Sequence, residues 1–155
     1  MTTTARLRPE LTVAIDGEHH PIAWSGPRPV DAHPARVVRI RRSTLSESIR
    51  ERARLRAEAV DDPADLVIAL EVEALIAPEA STARAELLRR GETLTSDTLR
   101  YVGTPNGLRT LIEDLYVAEV ADAVIITPID GLATAVLVAD QVLPRLRESS
   151  ARRAA

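Results

Sequence analysis

Leu66 to Ile76 (LVIALEVEALI) is the strongest strand signal in the chain, and it constrains the fold more than any other segment. Asp61-Asp62-Pro63 breaks the pattern ahead of it, and Ala77-Pro78 ends it. Amphipathic runs stand on both sides. Leu45 to Val60 carries Leu45, Ile49, Ala53, Leu55 and Ala59 at helical spacing, with Glu47, Arg50, Glu51, Arg54 and Glu58 on the other side. Ser43 or Thr44 offers its N-cap. Ser81 to Arg90 reads as a second helix, closed by Gly91. Ala123 to Thr127 (AVIIT) is apolar throughout, which suits burial on both faces as parallel sheets require. Strands alternating with amphipathic helices predict an α/β fold of parallel strand-helix units with right-handed crossovers.

The remaining elements fit the same scheme. Leu11 to Ile15 is a short strand stopped by Asp16-Gly17, and Val37 to Ile40 is a β-branched strand. Between them, Pro21, Pro27, Pro29 and Pro34 predict no regular structure beyond a turn or two. Thr98 to Val102 is either a very short strand or an extended approach. Gly103-Thr104-Pro105 then supplies turn, N-cap and first helical residue, and Leu108, Leu111, Ile112 and Leu115 mark the buried stripe that follows. Asp130 caps a last helix running to about Arg147, with Pro144 near its end. The chain divides into a flexible tail over 1–10, one α/β domain over 11–148 and a second tail over 149–155.

Length sets a limit. At 155 residues the chain holds one domain, whereas a complete eight-unit barrel needs about 200 or more. A partial or shortened TIM-barrel-like fold is therefore expected. All 20 basic side chains are arginine, which excludes a P-loop or Schiff-base lysine. With no cysteine there is no disulfide framework, and the cytoplasm is the default compartment. A net charge of −3 and only Trp24, Tyr101 and Tyr116 as aromatics give no footprint for nucleic acid, and no apolar run predicts a membrane span. His19, His20 and His33 lack partners at metal-site spacing.

The segment Thr98 to Glu148 resembles the end of the luciferase-like flavin-dependent monooxygenases, the alkanal and nitrilotriacetate monooxygenase group. The matching pieces are the Val-Gly-Thr-Pro turn at Val102 to Pro105, the strand from Asp122 to Ile126, and Val142 to Leu146 near the end. Val37 to Leu88 resembles the segment that precedes these in the family, and Leu11 to Trp24 is similar to its first strand and loop. Those enzymes are full barrels, so this chain looks like the first strand joined to roughly the last third.

The resemblance implies a flavin-dependent oxidoreductase using FMN, or a deazaflavin, on a small organic substrate. Ligands of such barrels lie at the carboxyl ends of the strands, which singles out Asp16, His19 and His20. His20, in the matching loop with Trp24, would hydrogen-bond the flavin or act as an acid-base group. Trp24 would stack on the isoalloxazine ring or anchor packing. Ser25 and Gly26 would supply a hydroxyl and backbone N–H groups to a flavin phosphate, or form a turn. Arg39, Arg41 and Arg42 are candidates to neutralise that phosphate, against solvated strand-end arginines.

Glu71 and Glu73, two apart on one strand, project from one face. Lining a pocket, they would raise each other's pKa and serve as a catalytic pair; on an edge or interface they would pair with arginines from a neighbour. A competing reading is a non-catalytic interaction or scaffold subunit derived from the family. Too few strands are present to close a ring, so exposed sheet edges predict a homo-oligomer or pairing with a full-length relative.

Overall fold

The structure is a computed structural model that describes residues 9–17, 20–25, 36–60, 65–91 and 97–154. In chain order the elements are β1 (Thr12–Gly17), β2 (His20–Ser25), β3 (Arg36–Ile40), α1 (Leu45–Glu58), β4 (Leu66–Ile76), α2 (Ala80–Arg90), β5 (Leu99–Gly103), α3 (Pro105–Val117), β6 (Ala123–Pro128) and α4 (Leu132–Leu137). A π-helical turn (Val138–Val142) then leads into α5 (Leu143–Ala154). The α/β reading holds, and the ambiguous segment at Thr98 resolves as the strand β5.

β4 organises the sheet. It is long enough to take β3 along Leu66 to Leu70 and β5 along Val72 to Ile76 on one side, while β6 lines Ala69 to Ala74 on the other. β1 pairs with the far side of β6, and every one of these pairings is parallel, as helical crossovers require. Among the described strands β2 alone runs antiparallel, on the outer edge of β1.

Side chains alternate between two unlike faces. One presents Val13, Ile68, Leu70, Val72, Val124 and Ile126 to Leu108, Ile112 and Leu115 of α3 and to Val138, Val142 and Leu146 of the terminal helical segment. The other carries Ala14, Val67, Ala69, Ala123 and Ile125, all buried and mostly small. The difference in bulk follows from curvature. Through Ala69 and Ala123, Arg39 on β3 is level with Thr12 on β1, so Asp16 lies three strands across from Arg39 and four residues further along, about 19 Å away on a flat sheet. Their Nη2 and Oδ2 atoms lie 2.9 Å apart, so the sheet curls toward the alanine-rich face and the larger side chains stand on the convex, helix-covered face. That is the geometry of a partial barrel.

Four local features follow from sequence chemistry. The Thr44 and Thr104 hydroxyls accept hydrogen bonds from Glu47 N and Gly107 N, with Pro105 in the first turn of α3. Gly91 closes α2 in the left-handed region at φ 63°. The Asp130 carboxylate accepts from Thr134 N at 3.1 Å at the start of α4.

Three expectations need correction. The proline-bearing stretch contains β2, because Pro21 falls at a register shift between Ile15 and Gly17 on an edge strand, where a missing N–H costs little. The final helix does not stop at about Arg147, and Pro144 stands at its beginning rather than near its end. Leu143 N donates to Val138 O, five residues back, and this wider turn lets the helix continue through Ala154, so 149–154 is helical.

The buried side of α1 is also not the expected one. Ser48 and Arg52 are buried and Leu55 and Ala59 are half-buried, while Leu45 and Ile49 remain 44% exposed. Asp122, at the foot of β6, decides this orientation. Its fully buried carboxylate accepts from Arg52 Nη2 at 3.1 Å, from Arg56 Nη2 at 2.6 Å and from the backbone N–H of Ile68 at 3.0 Å. A buried carboxylate without cations costs far more than two half-exposed aliphatic side chains return, so α1 turns its arginines inward. At the end of α3 a non-glycine residue, Glu119, takes the left-handed position at φ 58°, with Val120 N donating to Leu115 O at 2.9 Å and Glu119 N to Tyr116 O at 3.1 Å.

Two predictions follow. Asp122→Ala leaves two inward-facing guanidiniums without their anion and should cost about 3–5 kcal/mol, read as a lowered denaturant midpoint. Glu119→Gly removes the penalty of a side chain in the left-handed region and should raise the melting temperature by about 2–4 °C, for a gain of about 1 kcal/mol.

Candidate functional site

The candidate site lies on the concave face toward the carboxyl ends of the strands. Val72 points to the convex core, so Glu71 and Glu73 on either side of it share the concave face, as their spacing predicts. The pairing register then brings arginines to them. Arg100 on β5 stands directly across from Glu73, and Arg41 follows the last β3 residue paired with β4. Glu71 itself falls at the junction where the β3 ladder ends and the β5 ladder begins.

Each carboxylate is held by cations. Arg39 Nη2 donates to Glu71 Oε1, and Arg41 Nε donates to Glu71 Oε2 at 2.8 Å. The Arg39 guanidinium also reaches Asp16 across the concavity. Arg100 donates to Glu73 Oε2 from Nε at 3.0 Å and from Nη2 at 2.8 Å. Glu71 is buried, whereas Arg39 and Arg41 keep 40% and 55% of their side chains exposed, so the carboxylate is the desolvated member. Burial alone pushes the Glu71 carboxyl up. Hydrogen bonds and charge from Arg41 and Arg39 outweigh that and hold it below the ordinary carboxylate range.

Burial lowers the affinity of Arg39 for its proton, but Asp16 and Glu71 more than offset this. Arg41 is held above its ordinary value chiefly by its hydrogen bond to Glu71. This arrangement keeps Glu71 ionised and orients two guanidiniums. Glu71 is held by Arg39 and Arg41 and Glu73 by Arg100, which is the ion-pair alternative of the two, with the arginines supplied by adjoining strands of the same chain.

The other expected site residues distribute unevenly. Asp16 joins this cluster. His20 lies opposite Gly17, near the same end of β1. Trp24 and Ser25 lie opposite Ala14 and Val13, toward the beginning of β1, so their backbone sits about 10 and about 13 Å along the strand from that end. His19 and Gly26 lie outside the described residues. Arg42 turns away to α1, with Nη2 3.4 Å from Glu51 and Nη1 donating to Arg41 O at 2.7 Å.

Sequence reasoning missed the bridging role of Arg39 and the pairing of Arg100. For Arg39 the signal was present as Arg39 and Arg41 at period two, matching Glu71 and Glu73, whereas Arg100 has no charged residue two positions away; in both cases strand neighbours had to be known. Among the described residues no cluster of three or more His, Asp or Glu is placed to hold a metal ion, and no helix is long and apolar enough to cross a membrane.

No family model matches the chain, and no curated protein matches it.

Because the folded-state pKa of Glu71 is lowered, its contribution to stability is fully present above the unfolded value, near 4.5, and is lost as pH falls through the folded value. Glu71→Gln should therefore destabilise by about 1–2 kcal/mol at neutral pH. The gap from the parent protein should narrow in acid, measured as denaturant midpoints across a pH series.

Proposed function

We propose that this chain is a non-catalytic interaction module related to the luciferase-like flavin enzymes, and that it works by associating with a second copy of itself or with a full-length relative. The observation that carries this reading is the commitment of Glu71 to Arg39 and Arg41, and of Glu73 to Arg100. A catalytic acid or base needs a pKa near the working pH and access to the reacting proton. Glu71 has neither, since two guanidiniums hold it ionised and occupy both of its oxygens.

Association is supported by the sheet. Five parallel strands curl as part of a barrel that needs eight, and β3 and β5 pair with no described strand on their outer side. Open strand edges favour a partner, and two-fold pairing of identical chains is the commonest solution. The cytoplasm is the compartment this reading implies.

A second reading, a flavin-dependent oxidoreductase that binds reduced FMN or a deazaflavin, is favoured by one observation. Asp16, Arg39 and Arg41 gather toward the carboxyl ends of the strands, where ligands of parallel α/β sheets sit.

Light scattering coupled to size exclusion, together with an FMN titration followed by absorbance and flavin fluorescence, separates the two. The expected result is a mass of two or more chains at micromolar concentration and no saturable FMN binding. A stable monomer would overturn the module reading, and saturable flavin binding that Arg39→Ala abolishes would replace it with the enzyme reading.

A further inference from the structure

We draw no further inference here: the strongest candidate, the apolar shoulder that Leu45, Ile49 and Ala53 leave exposed on α1 beside the β3 edge, is an unpartnered helix face, and nothing in the structure shows what covers it.

Discussion

Burial of β4 on both faces is the constraint from which the rest of the structure follows. Leu66, Ile68, Leu70, Val72 and Ile76 are each at most 2% exposed on the convex side, and Val67, Ala69 and Leu75 at most 3% on the concave side. A strand with no solvent-facing side must have neighbours on both edges and cover on both faces. Here β6 occupies one edge, and β3 and β5 divide the other between them. The division creates a junction in the middle of β4, and the one charged residue at that junction, Glu71, must be neutralised from within the sheet. Arg39 and Arg41 meet that requirement. The cluster at the carboxyl ends of the strands thus has a structural origin before any chemistry is considered.

Asp122 poses the same problem at the opposite end of the sheet and meets the same solution. Its carboxylate ties the start of β6 to the start of β4 through Ile68 N, and it recruits Arg52 and Arg56 from α1. Arginine suits both places. Its planar fork serves two acceptors at once, as Arg39 does between Asp16 and Glu71, and it stays charged when partly desolvated. In a chain without lysine, every internal cation is of this kind.

Much of the fold was legible in the sequence because apolar runs, caps and breakers act locally. Leu66 to Ile76 emerges as a strand with the bounds its composition suggests, and Thr44, Gly91, Thr104 and Pro105 mark helix ends as their chemistry dictates. What was not legible depends on distant partners. The rotation of α1 is set by Asp122, and no periodicity within α1 reports a carboxylate beyond β4. β2 forms because β1 offers an edge to Pro21 at a bulge, which a count of prolines cannot anticipate. Of the site, the shared face of Glu71 and Glu73 was readable from their spacing, whereas their separate arginine partners depend on which strands lie alongside.

The placement of β1 has a consequence for how the chain reaches its fold. Thr12, at the start of β1, pairs with Ala123, and among the described strands β1 has no parallel neighbour other than β6. The whole stretch between Thr12 and Ala123 must therefore be synthesised before β1 can dock on β6. Until then the hairpin with β2 is its sole shelter, and hairpins alone are marginal in water. Such a long loop closure makes assembly slow and leaves β1 and β2 exposed to misassociation during synthesis.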